Sequence, residues 1–442
     1  MFWKQALAVF AAAFLAQSLV YAVIRWHNPQ EVIDGDTPSY FACAEDFKAS
    51  GNFDSAACSV RTPVYPFLLA VTGTSFKNVA PAIRLNHFFA AVVGVLFYFL
   101  LLPFGGSRGA FVWAVLFSMD ALILRYSNTL MTEMPFLFLW ALSWGFLLRG
   151  VATGRWFLPL AVCGLLQAAA ILTKPVALFW PVVQTACLLA CGGIFAKEHR
   201  RRVLMNLAGI LVYGTVALGV PQLWAYHNWK VHGYGSVSRV GMDVLHHKSV
   251  MILMMDLGVS QDEAHEILNR RFREKGARGD ISDMEREKLY KNVLLETARR
   301  HPMGFFKATV RSVRRVLFRG AVPEFAAKGQ TGRTLHGVLN YFNVGWNVLL
   351  GLLALTFFYF RRKNPLFQND AFKKFVLLLC ILSILYFTLM VNPHGNARYR
   401  FPIVPAIYFL GALGFHELRE AWRARYNLKG QPHDLRAVSS AG

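Results

Sequence analysis

The chain has 442 residues, of which 55% are hydrophobic and only 16% are charged, with a formal net charge of +22. Soluble domains average about 45–50% apolar and about 25% charged residues, so this composition excludes an ordinary soluble protein. The Lys and Arg residues are spread over loops between long apolar blocks, which argues against nucleic acid and favours membrane lipids and phosphorylated lipids as partners. We predict an all-α polytopic membrane protein.

About ten helices are predicted to cross the membrane, since a span needs about 20 apolar residues. The first is interpreted as an uncleaved helix rather than a signal peptide, because no clear small-x-small cleavage site follows it. The predicted spans are 6–24, 84–104, 109–124, 131–149, 156–173, 175–195, 203–226, 337–360, 374–392 and 401–418.

Two connections between spans are long, and they divide the chain. The predicted units are an N-terminal membrane module 1–226 with its first loop 25–83, a helical loop 227–336, C-terminal membrane helices 337–418 and a basic tail 419–442.

The positions of Lys and Arg predict the orientation. With the N-terminus inside, the inner loops and the tail hold most of these residues, and the positive-inside rule is satisfied. Both termini are then cytoplasmic and both long loops are extracytoplasmic. The outer short loops carry only Arg125, Lys174, Arg398 and Arg400.

The second long loop carries helical signals. Ser260 with Glu263, and Ser282 with Glu285, have the spacing of capping boxes. The segment 304–318 interleaves apolar with basic residues and is typical of a helix that lies on a lipid surface.

The first long loop contains IDGDTPSY, residues 33–40, with Asp34, Asp36 and Tyr40. The two acids fit solvated loop carboxylates, a divalent-metal site built from their oxygens, or a general base. Near the lipid interface a carboxylate is partly desolvated, which raises its proton affinity and suits a base. The base is the interpretation that we carry forward.

Other charged residues lie on the same predicted outer side. Glu133 begins the fourth span, where it fits either a contribution to the helix dipole or a functional acid at membrane depth. Arg61, Lys174, Arg398 and Arg400 fit either interfacial snorkelling or contact with a lipid phosphate. The phosphate explains better why cations stand on the side that the charge rule disfavours.

Several features are left with open alternatives. Cys43 and Cys58 share the first loop, and a disulfide between them is one of two possibilities. The other cysteines are predicted to be small buried side chains: Cys163, Cys187, Cys191 and Cys380. The stretch around His227 and Asn228 is interpreted as structural more than chemical, the pair His246–His247 as a poor metal site, and Asp120 has no explanation.

In this order the motifs resemble those of the GT-C glycosyltransferases, integral membrane enzymes that use polyprenyl-phosphate sugars, and especially the bacterial aminoarabinose transferases and protein O-mannosyltransferase-like proteins. The resemblance rests on an acid and a Tyr in the first outer loop and on short motifs in residues 1–245 and 337–418. These motifs are RTPVYPFLLAVTG, TEMP, LTKP, HNWKVHGYGSVSRVG and ARYRFPIVPAI.

The resemblance implies roles for single residues. Asp36 rather than Asp34 would be the catalytic base, with Asp34 as support, and Glu133 would organise donor or acceptor. The residues implied to bind substrate are Tyr40, Arg61, Tyr65, Lys174, Arg398, Tyr399 and Arg400, with one of the two last arginines on the phosphate. His227 stands where the family often has Arg.

The resemblance also implies the reaction and the location. We expect inverting transfer of a sugar to a hydroxyl of a lipid, glycan or protein at the outer face of the bacterial inner membrane. No cofactor is expected to be required, although a divalent metal stays an alternative.

Two other functions remain as alternatives. An O-antigen ligase or polymerase type of glycan enzyme would place its site in the basic segment 299–319. A non-enzymatic lipid-linked-sugar transporter would show internal repeats and charges at mid-membrane.

Overall fold

The apolar blocks of the sequence form helices in the computed structural model, which describes residues 2–27, 32–195, 200–275, 281–321, 330–361, 370–390 and 397–429. Within these ranges there are sixteen α-helices and no strand. The prediction of an all-α polytopic protein is confirmed.

The helices follow one another with short connections. Their bounds are α1 Phe2–His27, α2 Thr37–Ser50, α3 Val64–Val71, α4 Ala80–Ser118, α5 Ala121–Ser127, α6 Glu133–Thr153, α7 Phe157–Ile171, α8 Trp180–Phe195, α9 Arg200–His232, α10 Val240–Leu257, α11 Gln261–Glu274, α12 Asp283–Arg300, α13 Pro302–Phe318, α14 Gln330–Arg361, α15 Ala371–Leu389 and α16 Val404–Lys429.

Seven stretches in the described ranges are long and apolar enough to cross a membrane. They are Phe2–Trp26, Ala80–Ser118, Glu133–Thr153, Leu204–His232, His336–Phe360, Ala371–Leu389 and Ala397–Arg423. Two further predicted spans correspond to the shorter apolar helices Phe157–Ile171 and Pro175–Ala190. The remaining predicted span, 109–124, covers the end of α4 and the start of α5.

Helix α4 contains a sharp kink between two of the predicted spans. Gly106 has φ 67° and ψ 175°, which is not a helical conformation. A positive φ of this kind suits glycine because a side chain would be strained there. The kink therefore divides α4 where the sequence places the Arg108 loop. Asp120 then caps α5, accepting a hydrogen bond from the backbone N–H of Leu122 at 2.9 Å.

The membrane helices pack into one large apolar core. Helix α1 packs on α4, α7 packs between α6 and α9, and α14 packs along α16. Close approach between α14 and α16 depends on glycine, because the Cβ of a side chain at Gly414 would collide with the carbonyl oxygen of Leu353.

The second long loop folds into α10–α13, with a small core of its own. Both predicted capping boxes are confirmed at the starts of α11 and α12. Helix α13 covers the predicted basic amphipathic segment. It packs on α10, with Gly304 beside Ile252 and Asp256 and with Ala308 in a cluster with Ile252. Its buried positions are spaced four apart: Gly304, Ala308, Ser312 and Val316.

The structure decides the cysteine alternatives that it describes. Cys43 and Cys58 form a disulfide that joins α2 to the short 3-10 helix before α3. Cys163, Cys187 and Cys380 are buried, as predicted. Cys191 lies outside the residues whose side chains the structure describes.

We predict that Gly414→Ala destabilises the bundle by about 1–3 kcal/mol, because its methyl group must push α14 away from α16. Thermal unfolding in detergent measures the loss. The control is Gly351→Ala in α14, where an added Cβ meets no atom within 4 Å. Equal midpoints for Gly414→Ala and wild type would contradict the close packing.

Candidate active site

The turn before α2 sets the position of Asp36. Asp34 Oδ1 accepts a hydrogen bond from the backbone N–H of Gly35 at 2.6 Å, and the N–H of Asp34 donates to Thr37 Oγ1 at 3.0 Å. The hydroxyl of Thr37 donates in turn to the carbonyl of Leu130 at 3.0 Å. These bonds fix the turn to the segment that precedes α6, and they leave Asp36 at the N-cap position of α2.

Five charged side chains from distant parts of the chain form one network. Arg61 Nη2 lies 2.8 Å from Asp36 Oδ1, and Arg398 Nη1 lies 3.1 Å from Asp36 Oδ2. Arg398 Nε lies 3.0 Å from Glu133 Oε1, and the same oxygen accepts from Lys174 Nζ at 2.6 Å. Arg398 therefore bridges the two acids, and three cations share two carboxylates.

Burial separates the two acids of the network. The Glu133 side chain is 0% exposed and that of Asp36 is 32% exposed. Buried ion pairs stabilise a fold poorly, because the cost of desolvation offsets their attraction. A network of this kind inside an apolar bundle is therefore better explained by function than by stability, and Asp36 is the acid that a second molecule can reach.

The proton affinity of Asp36 differs from the expectation. Partial burial raises the pKa of this carboxyl group, but the charges and hydrogen bonds of Arg61 and Arg398 outweigh burial and hold the pKa below its ordinary value. The expected rise through desolvation was therefore wrong for this structure, because desolvation was considered without the two guanidiniums.

Tyrosines surround the cations. The guanidinium of Arg61 lies 4.6 Å from the ring centroid of Tyr40 and its Nη1 donates to the Tyr40 hydroxyl at 3.4 Å. The Tyr65 ring meets that of Tyr40 edge-on at 5.0 Å. Burial raises the pKa of Tyr40 to about 12, so it stays neutral near pH 7. Lys174 and Arg398 both lie 5.7 Å from the ring of Tyr399.

The position of Arg61 is fixed from outside by the segment after α9. The hydroxyl of Tyr234 donates to the carbonyl of Ser59, and that of Ser238 donates to the carbonyl of Val60 at 3.1 Å. These two carbonyls directly precede Arg61 in the chain. The 234–238 segment therefore acts as a support for the cation.

His227 and Asn228, whose roles the sequence left open, precede this segment and each makes a polar contact in the same region. Asn228 Nδ2 donates to the carbonyl of Ser236 at 2.9 Å and shapes the turn. His227 Nε2 lies 3.0 Å from Asp54 Oδ1, in the loop closed by the disulfide. Both contacts are structural.

A cavity of about 420 Å³ opens beside the network, within the size range of small-molecule sites. Its wall presents the three cations, a set of hydroxyls and an apolar flank, and none of the described residues that line it is a carboxylate. The cations are Arg61, Lys174 and Arg398, the hydroxyl groups belong to Tyr40, Thr62, Thr132, Thr173, Ser236, Ser238 and Tyr399, and the apolar flank includes Val176, Leu178, Val244, Leu245 and Met390. The cavity suits an anion attached to an apolar group.

Arg400 does not join the network, although it lies two residues from Arg398. Its Nη1 donates to the carbonyls of Val316, Leu317 and Arg319 at 3.2, 2.8 and 3.2 Å, and the residue is 1% exposed. It therefore ties the end of α13 to the bundle.

Asp120 belongs to the neighbourhood of Arg400. Its Oδ2 accepts from the hydroxyl of Tyr408 at 3.1 Å, and the positive charge of Arg400 acts on this buried acid. Asp120 therefore has a structural explanation that its sequence context did not supply.

The alternative of a metal site receives no support from the described residues. Among them no group of three or more His, Cys, Asp or Glu side chains is arranged to hold a metal ion. The place between Asp36 and Glu133 is filled by the guanidinium of Arg398, which repels a cation. His246 Nε2 lies 3.0 Å from His265 Nδ1 rather than sharing a ligand site with His247.

We predict that Arg400→Gln destabilises the protein by about 3–5 kcal/mol. The substitution removes the buried guanidinium that faces Asp120 and binds three carbonyls at the end of α13. Thermal unfolding measures the loss of stability, and the control is Arg314→Gln at an exposed position of α13. If the two variants unfold at the same temperature, Arg400 does not secure α13.

No protein-family model matches the chain, and no curated protein matches it significantly. The chain is similar to archaeal oligosaccharyltransferase AglB from Archaeoglobus fulgidus in complex with an inhibitory peptide and a dolichol-phosphate, with 14% identity, 97% of this chain covered and a TM-score of 0.48. For the apo form of the Archaeoglobus fulgidus enzyme the identity is 14%, the coverage 96% and the TM-score 0.49.

A third solved structure is the same organism's oligosaccharyltransferase tethered to an acceptor peptide, at 12% identity over 96% of this chain with a TM-score of 0.48. The chain spans about half the length of these structures, 52%, 52% and 51% in turn. At this level of similarity, function has to be argued from the site itself.

Proposed function

We propose that this protein is a GT-C-type membrane glycosyltransferase that moves a sugar from a polyprenyl-phosphate donor to an acceptor hydroxyl, with inversion at the anomeric carbon. One observation carries the proposal. The two guanidiniums that hold the partly exposed carboxylate of Asp36 also line a cavity in which cations and an apolar flank lie together.

The cavity side of the network suits the donor. Lys and Arg are strong ligands of phosphate, and charge-assisted hydrogen bonds are about twice as strong as neutral ones. Arg61, Lys174 and Arg398 present such donors to one space. The apolar flank beside them suits the first isoprene units of a lipid. The leaving group departs as a phosphate anion, so that these cations can replace a general acid.

The other side of the network suits the acceptor. Asp36 is reached from solvent, and it stands at the end of a helix rather than in the cavity wall. An acceptor hydroxyl that approaches from this side meets the base on one face of the sugar, while the phosphate departs from the other. This opposition is the geometry that inversion requires.

The remaining residues of the network are assigned to support. Glu133 is buried and holds Lys174 and Arg398 in place. Tyr40 and Tyr399 flank the cations, and Tyr65 packs on Tyr40. Asp34 shapes the turn and Arg400 secures α13, so neither is assigned to the chemistry.

We further propose that the site opens to the extracytoplasmic side of a bacterial inner membrane, with both termini in the cytoplasm, and that no cofactor is needed. The acceptor is a lipid, glycan or protein hydroxyl. For the O-antigen ligase alternative, the segment 299–319 runs from the end of α12 through α13, which packs on α10. Its His301 lies 2.7 Å from Asp256 of α10, so this histidine already has a partner within the fold.

We predict that Asp36→Asn lowers the rate of sugar transfer by about 10²–10⁴-fold, because a general base contributes that factor. The measurement is turnover of labelled polyprenyl-phosphate sugars by purified protein with lipid, glycan and peptide acceptors. Asp34→Asn is the matched control and is expected to keep wild-type turnover within a few-fold.

Equal rates in the wild type and Asp36→Asn would remove the central claim. Passage of the labelled lipid across vesicles without transfer would support the transporter alternative instead. Chelation of divalent ions with EDTA in the same assay is expected to leave the rate unchanged.

For the topology, we predict that Asn52→Cys is labelled by a membrane-impermeant maleimide in intact cells, whereas Thr153→Cys is labelled only after lysis. Both positions are exposed in the structure, and they lie in loops predicted on opposite sides. The reverse pattern would contradict an extracytoplasmic site.

A further inference from the structure

We propose that the donor phosphate and Asp36 compete for the same two guanidiniums, so that donor binding itself releases Asp36 to act as the base. The negative charge that Asp36 then loses on taking up a proton reappears on the departing phosphate. This inference rests on the proposed function and concerns how the same site is switched on.

The competition follows from the contacts of Asp36. Each of its two oxygens accepts from one guanidinium, Oδ1 from Arg61 and Oδ2 from Arg398. A carboxylate held in this way is a weak base, in agreement with its lowered pKa. Both arginines also line the cavity, so a phosphate there offers them a second pair of anionic oxygens.

Glu133 explains why the cations stay in place when Asp36 gives them up. It holds Arg398 through Nε, which leaves the Nη1 group of Arg398 to move from Asp36 to a phosphate. It also holds Lys174. Glu133 is therefore a positioning residue, and Arg398 is the residue that connects base and leaving group.

The charges of the network match a donor with one negative charge. Three cations and two carboxylates leave one positive charge in excess. A polyprenyl phosphosugar is a phosphodiester with a single negative charge, so its binding brings the site to neutrality. In a medium of low dielectric constant, an uncompensated charge is costly.

Neutrality is kept through the reaction. The acceptor oxygen forms a bond to the anomeric carbon, the bond from that carbon to the phosphate oxygen breaks, and its electron pair leaves with the phosphate. The acceptor's proton passes to Asp36. The phosphate then carries two negative charges and Asp36 carries none, so the net charge of the site is unchanged. The guanidiniums of Arg61 and Arg398 stabilise the negative charge first on Asp36 and then on the phosphate.

Other charged groups face Asp36 from several elements of the fold. Arg61 faces it from the segment before α3, Arg398 from the 3-10 turn before α16, and Glu133 with Lys174 from beyond Arg398. Tyr40 has a pKa of about 12. A change in proton binding that accompanies binding of a phosphodiester is assigned to Asp36 if it is lost in the Asp36→Asn variant.

The test measures the affinity for farnesyl methyl phosphate, a prenyl phosphodiester that has no sugar to transfer and no proton that titrates in this range. Calorimetry of the full chain in detergent follows its binding from about pH 7 to about pH 4. Asp36 is ionised at pH 7 with or without the ligand, and its release from the guanidiniums raises its pKa from a lowered value towards the ordinary value of about 3.9. We therefore expect the wild type to bind more tightly by a few-fold as the pH falls from about 5 to about 4, because binding and protonation of Asp36 favour each other.

Asp36→Asn is expected to bind the phosphodiester several-fold more tightly than wild type at pH 7 and to lose the pH dependence, because its competitor is gone. Asp34→Asn is the matched control and is expected to behave like wild type. If Asp36→Asn does not fold, Arg61→Gln replaces it and is expected to reduce the pH dependence, since one guanidinium no longer holds Asp36.

Binding that is independent of pH in the wild type, or pH dependence that persists in Asp36→Asn, would overturn the competition and leave the proposed function standing. Absence of binding in wild type and variants alike would instead contradict the phosphate site on which the proposed function depends.

Discussion

Arg398 is the residue on which the rest of the site depends, because it is the cation that joins the buried Glu133 to the partly exposed Asp36. Charges at this depth are tolerated only when they are paired and hydrogen-bonded. The first loop, α6, the α7–α8 connection and the segment before α16 must therefore meet at one place. The cavity and the carboxylate of Asp36 both lie where these elements meet.

The periphery of the fold keeps these elements from moving apart. The disulfide between Cys43 and Cys58 and the hydroxyls of Tyr234 and Ser238 fix the backbone that carries Arg61. Arg400, which is two residues after Arg398 in the chain, binds a carbonyl at the end of α13 and fixes that helix to the bundle. The helices of the second long loop thus support the site from outside, and none of their charged groups enters the ion network.

The sequence predicted the helices and most of the network, because long apolar runs and ionisable residues at their ends have strong physical causes. It could not separate Arg398 from Arg400, since both lie in one short 3-10 turn and only tertiary packing points them in different directions. It also missed the lowered pKa of Asp36, which depends on cations 25 and 362 residues away. The stretch with Tyr234 and Ser238 was recognised as a motif, but its hydrogen bonds to the carbonyls of Ser59 and Val60 join residues about 175 positions apart and could not be predicted from it.

The most direct test of this account is an experimental structure of the protein with a prenyl phosphodiester bound. We expect the phosphate within hydrogen-bond distance of Arg61, Lys174 and Arg398, with the prenyl chain along the flank formed by Val244 and Leu245 and with Asp36 released from at least one guanidinium. A phosphate bound elsewhere, with Asp36 still held by both arginines, would contradict the account.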